Sequence, residues 1–101
     1  MEEVLLNIIQ YMDKKIIFAD NYHTIRYLNQ KAVDHYASKG YKKLIGESVL
    51  SFHKPETKQK LKEAVWTLET NKDMMQYQIN NTIIYAVRNK KGELIGYYEM
   101  Y

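Results

Sequence analysis

The chain contains no cysteine among its 101 residues. Disulfides, thiolate zinc sites, cysteine nucleophiles and flavin–thiol photochemistry are therefore excluded, because each of them needs a thiol. No apolar run approaches the roughly 20 residues that a membrane-spanning helix needs. The first residues, MEEVLLNIIQ, are acidic where a secretory signal peptide is basic. We therefore expect a cytoplasmic protein that has no membrane partner.

Arginine is also scarce, since Arg26 and Arg88 are the only two among fifteen basic residues. Proteins that read nucleic-acid sequence depend on arginine for bidentate contacts with bases. The net charge of +3 comes mainly from lysine, which suits a soluble surface, so no nucleic-acid partner is predicted. The chain has no Ser–His–Asp order, phosphate-binding loop or paired-carboxylate motif, so it is not predicted to be an enzyme.

The N-terminal segment has the apolar spacing of an amphipathic helix. A chain of 101 residues has room for one domain. Residues 2–13 are predicted to be helical, with an apolar face formed by Leu5, Ile8, Ile9 and Met12. An exposed apolar face of this size is unfavourable in water, so we predict a homodimer through this helix.

The next segment has the pattern of a hairpin followed by a short helix. Two β-rich runs, Lys15–Ala19 and Ile25–Leu28, flank a polar turn, which is a hairpin signal. Asn29 is a suitable N-cap for a helix over Gln30–Ala37. Gly40 then ends that helix, because glycine readily adopts the left-handed conformation at a helix C-terminus.

The second half of the chain combines a long helix with three strands. The only proline, Pro55, occupies the favoured first-turn position of a helix over Pro55–Thr70. The buried stripe of this helix is predicted to be Leu61, Ala64, Val65 and Leu68. The runs MMQYQIN, TIIYAVR and LIGYYEMY are then predicted as strands, and Gly92 supplies the positive φ angle of the last turn.

The order of these elements and three short motifs resemble those of PAS domains. The run LIGES resembles the turn before the ligand-side helices, and VRNKKGELIGYYEM resembles the final hairpin. The resemblance implies an α+β fold with a five-stranded antiparallel sheet and helices on one face. We therefore divide the chain into an N-terminal amphipathic helix, residues 1–14, and a PAS domain, residues 15–101. The opening signature is matched by Asp20, Ile25, Tyr27, Asn29 and Ala32.

The run IGESVLSFHKPET resembles one bacterial and archaeal PAS subgroup more closely. That subgroup carries IG-x-x-V-x-x-C-H-P-P before its long helix. His53 and Pro55 fall on the pattern, whereas Phe52 replaces the cysteine and Lys54 replaces the first proline. A role that depends on the thiol is therefore not carried over to this chain.

The resemblance implies a sensory role in which the sheet and the helices enclose a small ligand pocket. PAS domains hold haem, flavin, organic acids or nothing, so the fold does not select the ligand. Haem is our first candidate, with His53 as the iron ligand, for gas sensing, redox sensing or haem handling. The alternative for His53 is a helix-entry residue that bonds a free backbone group or lies half exposed while Pro55 starts the helix. The other predicted lining residues are Phe52, Leu50, Leu61, Val65, Tyr77 and Tyr85.

Two other function classes remain open from the sequence. One is a cofactor-free interaction module that binds a signalling partner protein. The other is a binder of an unknown small molecule such as an organic or fatty acid. Among the other histidines, His23 is expected at the surface of the hairpin turn, and His35 either faces solvent or acts as a second ligand.

Overall fold

The structure is a computed structural model that describes all residues, Met1–Tyr101. Its five strands form one antiparallel sheet with the spatial order β2-β1-β5-β4-β3. Three α-helices and one 3-10 helix, Val49–Phe52, complete the fold. The helices are α1 (Glu2–Gln10), α2 (Gln30–Ser38) and α3 (Pro55–Thr70). The strands are β1 (Ile16–Asp20), β2 (Ile25–Leu28), β3 (Gln76–Ile79), β4 (Thr82–Arg88) and β5 (Leu94–Met100).

The predicted order of helices and strands is confirmed, and the differences lie at the ends of elements. The first helix ends at Gln10, three residues before its predicted end, because the chain turns there to enter β1. The second helix ends at Ser38, and Gly40 follows with a φ of 90°. Helix α3 has the predicted bounds, and no helix of the protein is long and apolar enough to cross a bilayer.

One face of the sheet, the inner face, packs against α2, the 3-10 helix and α3. The predicted stripe of α3 is confirmed, since all four of its residues are buried. Strand β5 lies at the centre of the sheet, where it pairs with β1 on one side and β4 on the other. Alternation along β5 turns Tyr97 and Glu99 to the inner face and Tyr98 to the outer face.

Helix α1 lies over the opposite, outer face of the sheet. Leu6, Ile9 and Met12 border an open apolar groove of about 530 Å³ above the sheet. The predicted stripe is therefore rotated, because Leu6 and Ile9 border the groove whereas Leu5 and Ile8 do not. No residue of α1 is buried, so this helix contributes little to the core.

Asn29 joins three elements at the edge of the sheet. Its side chain is fully buried, and its Oδ1 accepts hydrogen bonds from the amides of Ile16 (3.0 Å) and Ala32 (3.1 Å). Its Nδ2 donates to the carbonyls of Ile9 (3.0 Å) and Lys14 (2.7 Å). The predicted capping of α2 by Asn29 is confirmed, and the same side chain also ties the end of α1 to β1.

Candidate ligand-binding site

A cavity of about 340 Å³ lies between the inner face of the sheet and the segment from α2 to the 3-10 helix. Its volume is at the small end of the range for small-molecule pockets. Most of its lining residues are hydrophobic. A second cavity, of about 300 Å³, lies beside the start of α3 and shares His53, Glu99 and Tyr101 with the first. We call the first one the inner cavity.

Glu99 places a carboxyl group on the wall of the inner cavity. Its neighbours across the sheet are Ile17 on β1 and Ile84 on β4, so both flanking side chains are apolar. No hydrogen bond or salt bridge within the protein reaches this carboxyl group. Burial raises the pKa of Glu99 above its ordinary value, because an apolar environment disfavours the charged form.

Glu99 is not among the residues that the sequence patterns predict for the site. A signal for it was present, because Glu99 lies two residues after Tyr97 in a strand and therefore shares its face. The strand run LIGYYEMY contains only this one charged residue. An acid at an inward position of a strand with no other charged residue indicates a polar group on the face that the helices cover.

His53 lies between the 3-10 helix and α3 and lines both cavities. Its backbone amide donates to the carbonyl of Leu50 (3.3 Å), but its imidazole makes no hydrogen bond within the protein. Burial lowers the pKa of His53, so the ring is neutral near pH 7. The imidazole is therefore available to a ligand and is not used to satisfy the helix end.

The other predicted lining residues divide between the cavities and the core. Phe52 lines the inner cavity, and Leu61 lines the second one. Val65 is buried in the core and Leu50 packs against it, so neither borders these two cavities.

The two predicted tyrosines lie away from the inner cavity. Tyr77 pairs with Ile84 and packs against the core without reaching either cavity. Tyr85 pairs with Tyr98, and the two rings stack with centroids 4.9 Å apart. Since Tyr98 belongs to the outer face, the structure places Tyr85 on the face opposite the inner cavity.

The expectation that His23 is a surface residue is wrong. Its side chain is only 8% exposed, and its Nδ1 lies 2.9 Å from the hydroxyl oxygen of Tyr97. The turn folds back over the sheet, because the His23 carbonyl accepts a hydrogen bond from the amide of Val49 (2.8 Å). Burial lowers the pKa of His23, so this contact joins a neutral imidazole to a phenol.

Aromatic rings form much of the wall facing the sheet. Tyr41 and Phe52 meet edge to face with centroids 5.1 Å apart, and Tyr36 lies 6.1 Å from the ring of Tyr41. The hydroxyl groups of Tyr36 and Tyr101 lie 3.1 Å apart. His35 also lines this end of the cavity, partly exposed, beside Tyr36. Five aromatic side chains thus border the inner cavity: Tyr36, Tyr41, Phe52, Tyr97 and Tyr101.

The residues of this site fit haem only in part. His53 offers the neutral imidazole that an axial ligand to iron requires. Haem also carries two carboxylates on its ring, and the Glu99 carboxyl group faces the inner cavity that the ring would occupy. Like charges that face the same cavity repel each other. The site therefore offers an iron ligand but does not fit the anionic part of the group.

Comparison with known proteins gives matches among solved structures. No protein-family model and no curated protein matches the chain. The PAS domain of a protein from Colwellia psychrerythraea matches with a TM-score of 0.72 and 15% identity, over 98% of this chain and 92% of that one. A C-terminal domain from Streptococcus mutans matches with a TM-score of 0.65 and 21% identity, over 98% and 81%.

A third similar structure is the Aer2 receptor of Vibrio cholerae, described as a dual PAS-haem oxygen sensor. It matches with a TM-score of 0.56 and 22% identity, over 88% of this chain and 92% of that one. At such identities the likenesses establish the fold alone. The fold predicted from the sequence is confirmed: the chain is an α+β protein with the five-stranded antiparallel sheet and the helices of a PAS domain.

Proposed function

We propose that the chain is a sensory PAS module that binds a small molecule in the inner cavity. The observation that carries this proposal is the pair of unbonded polar groups, Glu99 and His53, on the wall of a mainly apolar cavity. Both groups are only partly exposed, and ligand pockets typically combine apolar walls with a few polar groups of this kind that orient the ligand. The module is proposed to bind its ligand without converting it chemically, and to act in the cytoplasm.

The position of Glu99 supports a route from the cavity to the outer face of the sheet. Its neighbours along β5, Tyr98 and Met100, point to the outer groove beneath α1. A ligand that displaces β5 would therefore change the surface on which α1 lies. Since α1 has no buried residue, little free energy holds it in one position.

Haem held by His53 is the first ligand candidate within this proposal. The neutral imidazole and the likeness to a PAS-haem oxygen sensor support it. When bound, haem would supply an iron that binds diatomic gases or changes redox state. The Glu99 carboxyl group disfavours haem, because its negative charge would repel the carboxylates of haem. The subgroup with the histidine–proline pattern stays a prediction.

A hemin titration tests the haem candidate. For a haem sensor, adding hemin to the purified protein gives a sharp Soret band, which His53→Ala abolishes because the axial ligand is lost. His35→Ala tests the other partly exposed histidine of the cavity, and loss of the band in His53→Ala alone assigns the iron ligand to His53. A band that survives His53→Ala would overturn the ligand assignment, and the absence of any sharp band would exclude haem.

Two other candidates follow from different observations. The open apolar groove under α1 favours a cofactor-free interaction module that binds a signalling partner on its outer face. A small organic or fatty acid in the inner cavity is supported by the apolar walls, but its carboxylate would meet Glu99. Mass spectrometry of material extracted from the purified protein separates a bound acid from an unliganded module.

We also propose that α1 mediates a homodimer. Leu5 and Ile8 project from α1 on the side that the sheet does not cover, and a second copy of α1 would cover them. We expect the protein to be a dimer by light scattering and Ile8→Glu to convert it to a monomer, because an interfacial charge is not tolerated. Trp66→Glu is the matched control on an exposed part of α3 and should remain dimeric. A monomeric parent protein would contradict the proposal.

A further inference from the structure

We propose that the inner cavity binds a small organic cation that carries a protonated amine, with the Glu99 carboxylate as its counter-ion. This inference rests on the proposed ligand-binding function and names the class of ligand. It selects amines over both anionic candidates, haem and carboxylic acids. The juxtaposition that carries it is a carboxyl group without a protein partner inside a wall of aromatic rings.

The carboxyl group of Glu99 has no cationic partner within the protein. Neither sheet neighbour, Ile17 or Ile84, can donate a hydrogen bond from its side chain. The only basic side chains on the cavity wall are those of Lys39, which is exposed at the end of α2, and of the histidines 35 and 53. None of them forms a salt bridge with Glu99. A protonated amine would provide both the missing charge and the missing N–H donors.

The aromatic lining favours the same ligand class. Tyrosine and phenylalanine rings attract organic cations through the negative potential of their faces. Tyr97 lines the cavity two residues before Glu99 on β5, and Tyr101 lies two residues after it. The hydroxyl oxygens of Tyr36 and Tyr101, 3.1 Å apart, offer further acceptors for ammonium hydrogens. A carboxylate ligand could accept hydrogen bonds from the same hydroxyl groups, but it would be repelled by the Glu99 carboxylate.

The size of the cavity restricts the ligand to a small molecule. A volume of about 340 Å³ accommodates one aromatic ring with a short side chain. The suitable probes are therefore phenethylamine and tyramine. Their matched anions are phenylacetate and 4-hydroxyphenylacetate, which keep the ring and replace the amine by a carboxylate.

The test is a titration of each probe into the full chain, followed by amide chemical shifts in two-dimensional NMR spectra. We expect the amines to give saturable shifts in β5 and the 3-10 helix, and the acids to give none. In Glu99→Gln, amine affinity should fall at least about tenfold, because a desolvated charge pair is lost. Glu69→Gln is the matched control, since it removes the same charge from the exposed surface of α3 and should change nothing.

A second variant keeps the test informative if Glu99→Gln does not fold. Phe52→Leu removes one ring of the lining and retains an apolar side chain, and it should weaken the amines about threefold. The inference is overturned if no amine gives saturable shifts, if Glu99→Gln binds amines as tightly as the parent chain, or if the acids bind equally well. Saturable binding of the acids or of hemin alone would overturn the amine and leave the sensory module standing. If none of these probes binds and no molecule is extracted from the purified protein, both the amine ligand and the ligand-binding sensory module are overturned.

Discussion

Replacing Asn29 with alanine is expected to lower the free energy of unfolding by about 3 kcal/mol, because four backbone groups, two of them in buried hydrogen bonds, lose their partner. A loss of this size is a large part of the stability of a small domain. Urea unfolding followed by circular dichroism measures it. The four groups are the amides of Ile16 and Ala32 and the carbonyls of Ile9 and Lys14.

Two comparison variants separate the roles of this side chain. Asn71→Ala removes an exposed side-chain hydrogen bond at the end of α3 and should cost less than about 1 kcal/mol. Asn29→Asp keeps the acceptor for Ile16 and Ala32 but loses the donor to the end of α1. We therefore expect amide exchange in α1 to increase more than in α2. If Asn29→Ala loses no more stability than Asn71→Ala, the side-chain hydrogen bonds of Asn29 do not stabilise the fold more than an exposed hydrogen bond does.

Replacing Gly96 with alanine is expected to destabilise the protein by about 3 kcal/mol, which corresponds to a melting temperature lower by more than about 10 °C. A methyl group at this position would overlap the carbonyl oxygen of Ala19 and lie 2.7 Å from Cζ of Phe18. The phenyl ring can rotate, but the carbonyl belongs to the strand beside β5. Relief therefore requires the central strand pair to separate.

The control for this substitution is Gly92→Ala in the last turn. Gly92 has a φ of 83° and no atom within 4 Å of the added methyl group, so only backbone strain opposes alanine there. We expect a loss of about 1 kcal/mol. Differential scanning calorimetry of both variants distinguishes steric overlap from strain. Equal losses at the two glycines would mean that the close approach of β1 and β5 is not a constraint.

Apolar periodicity was sufficient to predict most of the fold. Helix α3 has its predicted bounds and stripe, since Pro55 marks its start and four apolar residues mark its buried face. The strands follow the period-two runs, and Asn29 caps α2 as predicted. These features are local, because each depends on residues that are neighbours in the sequence or one helical turn apart.

The binding site was predictable only in part. His53 and Phe52 were selected by their position before α3, and both line the inner cavity. Tyr85 was selected as a strand tyrosine, but its pairing with Tyr98 turns it to the outer face. Strand propensity cannot tell which of two faces a residue occupies until the register with the neighbouring strand is known.

Local sequence patterns were enough to predict the type and order of the secondary-structure elements and the buried stripe of α3. The three-dimensional contacts were needed to establish that His23 is buried against Tyr97, that Glu99 faces a cavity, and that α1 lies on the outer face. These features depend on segments that meet across the sheet, 74 residues apart for His23 and Tyr97. Local patterns show which residues avoid water, but the partner of a buried polar group is set by the long-range pairing of strands.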